Sequence, residues 1–149
     1  MQPLQVYTAG TPNGFPVLAV LHELATQNKD LKWETTAIDI SKNTQKEDWF
    51  LKINPNGRIP ALVDPNNDDF AVFETSAIML YLEKKYDPEH ILSWPSSNPK
   101  ADDLRNEVLQ WMFFARECRC ACIQSDASIL TVSGIFLLIA DGGIGPMQG

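Results

Sequence analysis

The sequence predicts an α/β domain with the element order βαβαββα, followed by a linker and one further helix. Three observations carry this reading. Short alternating or apolar runs at residues 4–8, 32–40, 61–63 and 70–73 have the length of strands. Longer runs with apolar residues at helical spacing lie at 15–25 and 75–86. Two clusters of turn residues, Asn54-Pro55-Asn56-Gly57 and Pro65-Asn66-Asn67-Asp68-Asp69, punctuate the second half.

Each element follows from its residues. Leu4 to Thr8 alternates loosely and reads as the first strand. Ala9 to Gly14 is a loop. Phe15, Leu18, Ala19, Leu21, Leu24 and Ala25 then mark a helix, with Thr11 as its expected N-cap and Pro12 in its first turn. Lys32 to Ile40 is a second strand, so strand, helix and strand form a right-handed unit with a parallel pair. Asp39 to Lys46 is polar and loop-like. Asp48 to Ile53 is a short helix with Trp49, Phe50 and Ile53 as its expected buried stripe. Ala61 to Val63 is a third strand, and the turn at 65–69 returns Phe70 to Phe73 antiparallel to it. Thr75 to Tyr86 is a helix with Ile78, Leu80, Tyr81 and Leu82 inward. Residues 87–100, rich in Pro and Ser, form a linker. Ala101 to Ala115 is helical, with Leu104, Val108, Trp111, Met112 and Ala115 at core spacing.

Composition narrows the function. The 149 residues are 44% hydrophobic, as a folded core needs, and carry a net charge of −7. That charge disfavours nucleic acid and anionic membranes as electrostatic partners. Met1-Gln2-Pro3-Leu4 lacks the basic start and apolar stretch of a signal peptide, so a cytoplasmic location is expected. All three cysteines, Cys118, Cys120 and Cys122, fall together, and residues 1–115 have none. The α/β domain therefore has no redox dithiol. A C-x-C-x-C run without a second ligand cluster is a weak metal signal, and no metal is expected.

The chemistry concentrates between Asn54 and Ile78. Asn54-Pro55-Asn56-Gly57 is a turn that empties into Ile59-Pro60 and then a short apolar strand. Pro60 at a strand mouth cannot donate to the ladder. A cis bond before it, as tight turns permit, would face the Ile59 N–H and C=O outward as an edge for an extended peptide. Glu74-Thr75-Ser76 closes a strand and opens a helix, which Thr75 or Ser76 can cap. The free N–H groups of that helix favour a carboxylate, and Glu74 suits an ammonium group beside it. A peptide edge, an anion site and a cation partner together suit a small zwitterionic peptide.

These motifs, Asn54-Pro55-Asn56-Gly57-Arg58-Ile59-Pro60-Ala61-Leu62-Val63-Asp64 and Phe73-Glu74-Thr75-Ser76-Ala77-Ile78, closely resemble the glutathione-binding half of glutathione transferases. With Thr11-Pro12-Asn13-Gly14, the chain looks most like the subgroup of fungal nitrogen-regulator-like transferases and bacterial nu-class disulfide-reductase types. The resemblance spans residues 4–115 and gives the βαβαββα order its family name, a thioredoxin-like fold over residues 1–86. It implies glutathione as co-substrate, conjugation to an electrophile or reduction of a disulfide, and a homodimer. The second route needs no protein cysteine, because glutathione carries the thiols.

The resemblance also assigns residues. The site must favour thiolate, and each unit of lowered pKa needs about 1.4 kcal/mol of preferential stabilisation. Asn13 is the expected donor to the thiol and Thr11 the second candidate; as a plain turn residue, Asn13 would have no such role. Tyr7 is the alternative used by other classes, but it lies inside the first strand and fits core packing better. Ile59 would meet the cysteinyl backbone through its main chain. Glu74 and Thr75 would bind the γ-glutamyl end, a role compatible with ordinary helix capping. The family usually has Ser at position 75. Gln45 aligns with the residue that meets the glycine carboxylate, against a plain solvated loop position. Arg58 and His22 read as solvent-facing. A non-catalytic glutathione-binding or regulatory module, or an inactive truncation product, is the competing class.

After Ala115 the resemblance lapses until Asp141-Gly142-Gly143-Ile144-Gly145-Pro146-Met147-Gln148-Gly149, where the family has His in place of Asp141. In the family, the helix at 101–115 begins an all-helical second domain, of which residues 101–149 would be a fragment. Arg116-Glu117-Cys118 can be encoded with GTGAGT, a consensus intron start, and Ala140-Asp141 with an acceptor AG. Removing the sequence between restores a His codon in frame. Residues 116–140 are therefore read as translated intron, with a divergent natural insertion as the alternative. The apolar run from Ile129 to Ala140 is too short to span a bilayer, which needs roughly 20 residues.

Overall fold

The computed structural model describes residues 1–121. A first compact unit spans Met1–Tyr86 and a second begins at Asp87.

In the first unit, β1 (Leu4–Thr8) alternates between buried Leu4, Val6 and Thr8 and half-buried Gln5 and Tyr7. Helix α1 (Phe15–Gln27) follows and buries Val17, Val20, Leu21 and Leu24. Strand β2 (Trp33–Ala37) lies parallel to β1, with Leu4 opposite Trp33. On the other side of β1, β3 (Ala61–Asp64) runs antiparallel, with Tyr7 opposite Ala61 and Val6 opposite Leu62. Strand β4 (Phe70–Phe73) closes the sheet antiparallel to β3, so the order is β2-β1-β3-β4. This is the expected thioredoxin-like mixed sheet.

The two faces of the sheet are covered differently. Helix α3 (Thr75–Tyr86) packs beside α1 and buries Ile78, Met79 and Leu82. Helix α2 (Asp48–Ile53) supplies Phe50 to a core with Ile38 and Ala61, against which Tyr7, Ile53 and Ile59 pack. Tyr7 meets Phe50 edge-on at 6.2 Å and Trp49 at 5.9 Å between ring centroids. Its phenol is thus part of the packing under α2, as the strand position suggested.

Several local expectations are corrected. Trp49 is 41% exposed rather than part of the buried stripe, because its indole turns out to donate to Glu47 Oε2 at 2.7 Å. The residue before α1 is Gly14, not Thr11, and the first-turn proline is Pro16, not Pro12. Leu80 and Tyr81 are only half-buried. The stretch after β2 forms two short 3₁₀ turns, Ile40–Lys42 and Thr44–Lys46, instead of open loop. Asp39 caps the first by accepting from the Ser41 and Lys42 amides.

The far end of β3 is held by one carboxylate. Asp64 is fully buried and accepts from Tyr81 Oη and Tyr86 Oη, each at 2.6 Å, and from the Asn66 amide at 2.9 Å. Burial alone pushes this carboxyl up, but the hydrogen bonds from the two phenols and Asn66 outweigh it and hold it below the usual range. Burial, then the bond to Asp64, pushes the Tyr81 phenol up to about 12 and raises Tyr86 further. The cluster ties the β3–β4 turn to α3.

In the second unit, Asp87 accepts from the Ile91 and Leu92 amides and from Ser93 Oγ, which gives the start of the linker a fixed turn. Helix α4 (Ala101–Ala121) opens with Asp102 and Asp103, favourable at a helix N-terminus. It buries Val108, Met112 and Ala115, while Trp111 is exposed, contrary to its expected core position. The helix continues past Ala115 without a break. The rest of the unmatched stretch, with Cys122 and the motif at 141–149, lies outside the described residues. No helix among the described residues is long and apolar enough to cross a membrane.

Candidate functional site

The near end of β3 gathers the residues singled out from the sequence. Its organiser is Asn54, a buried side chain at the end of α2. Asn54 Oδ1 accepts from the Asn56 amide at 3.0 Å, and Asn54 Nδ2 donates to Arg58 O at 2.7 Å. The side chain thus reaches past Pro55 and stands in for backbone turn bonds to Asn56 and Arg58. Gly57 has a φ of 60°, and a Cβ there would lie 2.9 Å from Gln45 O and from Lys46. Only glycine meets both demands. The turn delivers the chain to Ile59 and Pro60, whose peptide bond is cis, immediately before β3.

Two other segments meet this turn. Lys46 Nζ donates to Asn56 O at 3.2 Å, which seats the second 3₁₀ turn, and Gln45 with it, against the turn. Asn56 Nδ2 donates to Glu74 Oε1 at 3.4 Å from the other side. Glu74 is exposed and has a φ of 74°, a left-handed conformation for a residue with a side chain. Such a backbone costs about 1 kcal/mol or more and persists where surroundings impose it. Glu74 O accepts from the Ile78 amide at 2.9 Å, so Glu74 itself occupies the start of α3. Neither Thr75 nor Ser76, the expected caps, takes that place.

Thr75 instead turns inward. It is 1% exposed, and its hydroxyl donates to Asn13 O at 2.9 Å. This bond joins the start of α3 to the loop before α1. In that loop Thr11 Oγ1 accepts from the Gly14 amide at 3.2 Å, and Thr11 O accepts from the same amide at 3.0 Å. A Cβ on Gly14 would run into Thr8 Oγ1 and lie 2.5 Å from Ala9 O. Gly14 is therefore dictated by the close approach of the loop to the end of β1.

Contacts thus link Asn13 to Thr75, Glu74 to Asn56, and the turn after Asn56 to Gln45, with Ile59 at the mouth of β3. Thr11 sits beside Asn13 through Gly14. Gln45 contributes one further feature: its Oε1 is sealed from solvent and has no hydrogen-bond partner. An unsatisfied buried acceptor of this kind is costly. Tyr7, on the face under α2, is not among the linked residues.

Asn54, Asn56, Lys46 and Gly14 shape this cluster, and the sequence reading gave none of them a role of its own. The turn motif signals the first two, but not that Asn54 is buried with both amide groups occupied. Among the described residues no group of three or more His, Cys, Asp or Glu stands ready for a metal ion.

Residues 3–84 match the family model described as the glutathione S-transferase N-terminal domain. A glutathione S-transferase of Schizosaccharomyces pombe is 41% identical over 103 residues, which is 69% of this chain and 41% of that protein. The chain therefore spans about two fifths of the length of that relative. Among solved structures, the glutathione transferase URE2P5 of Phanerochaete chrysosporium superposes with a TM-score of 0.65 and 37% identity, over 76% of this chain and 46% of that one. A glutathione transferase homologue of Lodderomyces elongisporus, solved with two glutathione molecules per subunit, gives a TM-score of 0.64 at 29% identity, over 95% of this chain and 66% of that one.

Proposed function

The chain belongs to the glutathione S-transferase N-terminal domain family, and from that premise we propose that it binds glutathione at the near end of β3. Asn13 donates to the thiol and favours thiolate, with Thr11 beside it. The Ile59 main chain pairs with the cysteinyl backbone. Glu74 accepts the γ-glutamyl ammonium, while the amide of Thr75 at the start of α3 receives the γ-glutamyl carboxylate. Gln45 meets the glycyl end, where its amide must present its N–H side to a carboxylate.

One observation carries this reading: hydrogen bonds and close approaches tie four sequence-distant segments, at 11–14, 45–46, 54–59 and 74–75, into one group. Cation partner, anion site and peptide edge then lie together, as a zwitterionic tripeptide requires. The reaction that follows is transfer of the glutathione thiolate to an electrophile or attack on a disulfide. Solved relatives support both: one was crystallised with a glutathionyl-dinitrobenzene and another with oxidised glutathione. A homodimer in the cytoplasm completes the proposal.

Calorimetric titration of the chain with glutathione tests it. Saturable binding that Glu74→Ala weakens about tenfold, equivalent to about 1.4 kcal/mol, supports the assignment. Unchanged affinity in that variant places the site elsewhere. Turnover with a model electrophile and with a glutathionyl disulfide, depressed in Asn13→Ala, separates an enzyme from a binding module.

A further inference from the structure

We propose that Thr75 and Thr11 form a clamp on a single peptide group, the one joining Asn13 to Gly14, and that Thr75 acts on glutathione through Asn13 rather than by its own hydroxyl. The inference deepens the glutathione reading above and rests on its assignment of Asn13 to the thiol. Both polar atoms of this peptide group are held by threonines. Its C=O, on Asn13, accepts from Thr75 Oγ1 at 2.9 Å. Its N–H, on Gly14, donates to Thr11 Oγ1 at 3.2 Å and Thr11 O at 3.0 Å. The Cα that follows is packed so closely on Thr8 and Ala9 that it has no room for a side chain.

A peptide group is planar, so fixing both its polar atoms fixes the plane. That plane contains the Asn13 Cα, so the clamp fixes the point from which the Asn13 side chain leaves the backbone. A threonine hydroxyl has one proton to donate. In Thr75 that proton lies on Asn13 O, and the residue is 1% exposed. Its hydroxyl is therefore not a donor toward a carboxylate, and the amide at the start of α3 is left for that task. The extra methyl that distinguishes Thr75 from Ser fills buried volume and fixes χ1, which suits a clamp more than a ligand contact.

Amide hydrogen exchange in the full chain tests the clamp without any ligand. Thr75→Val keeps the shape and removes the hydroxyl. It should accelerate exchange of the Gly14 amide at least fivefold, while the β2 amides stay as they are and Thr75→Ser exchanges like wild type. Thr11→Val, at a half-exposed position, should accelerate the same amide and serves if the valine at 75 impairs folding. Unchanged Gly14 exchange in both valine variants overturns the clamp. With glutathione, Thr75→Val should raise the bound thiol pKa, read by thiolate absorbance, by half a unit or more. S-methylglutathione, which has the carboxylate but no free thiol, should bind Thr75→Ser and Thr75→Val alike, because the amide of residue 75 and not its hydroxyl faces the carboxylate. A tenfold loss of S-methylglutathione affinity with an unmoved thiol pKa overturns the proposal in favour of a direct carboxylate contact. If the wild type binds neither peptide, the glutathione reading falls and the exchange experiment alone decides the clamp.

Discussion

The two ends of β3 differ in how they treat polar groups. At the Asp64 end, a fully buried carboxylate receives two phenols, an amide N–H and a side-chain amide. At the Pro60 end, the buried Gln45 Oε1 has no partner; left-handed backbone occurs at both ends, at Glu74 and Gly57 here and at Asp68 and Asp69 in the turn after Asp64. The strand between them is four residues long. Satisfied polar groups hold a fold in one arrangement, whereas an unmet polar group leaves capacity for another partner. The contrast supports the proposal that the Asp64 end is scaffold and the Pro60 end the binding site.

The largest expected effect falls on the scaffold. Asp64→Ala leaves the buried Tyr86 phenol, the half-buried Tyr81 phenol and an amide without their acceptor and should destabilise the fold by roughly 3 kcal/mol, measured by urea unfolding. Asn13→Ala should leave unfolding close to wild type. If the two variants cost the same, the contrast between the ends fails. Gly14→Ala comes next, at about 2 kcal/mol, because the new methyl meets Thr8 Oγ1 and the Ala9 carbonyl.

Glu74→Gly sharpens the comparison by moving stability and binding in opposite directions. Glycine accepts a φ of 74° freely, so stability should rise by about 0.5–1 kcal/mol while glutathione affinity falls about tenfold. A destabilised variant would show that Glu74 serves the fold rather than the ligand.

A pH series probes the scaffold alone. Asp64 has a lowered folded pKa, so its contribution is present above the unfolded carboxyl value near 3.9 and is lost as pH falls through the folded value. Tyr81 has a raised one, so its contribution is present below about 10 and is lost as pH rises through about 12. Stability should therefore be flat between these limits with respect to the cluster. Tyr81→Phe should shallow the alkaline fall, and an unaltered alkaline limb would remove Tyr81 from the account.

Much of this was legible in the sequence. The bounds of α2, β4 and α3 follow directly from turn residues and apolar spacing, because Asn-Pro-Asn-Gly and the run at 65–69 leave the chain few alternatives. The grouping of the site was less so. Thr75 looks like a cap in sequence, and only the fold shows its hydroxyl reaching a carbonyl 62 residues away. Glu74 carries no signal for left-handed backbone, since its conformation is imposed by the strand it leaves and the helix it enters. Trp49 and Trp111 fit an apolar stripe by spacing yet are partly exposed, because periodicity cannot tell a covered face from its rim. The Asp64 cluster was missed for a similar reason: its members lie 17 and 22 residues apart and come together only across the β3–β4 turn.

The most direct test of the contrast is an amide chemical-shift map recorded while glutathione is added to the full chain. Shifts should concentrate at Asn13, Gly14, Gln45, Ile59 and Thr75, with Asp64, Asn66 and Tyr86 unmoved. Shifts at the Asp64 end, or none at saturating glutathione, would contradict the assignment of the Pro60 end as the binding site.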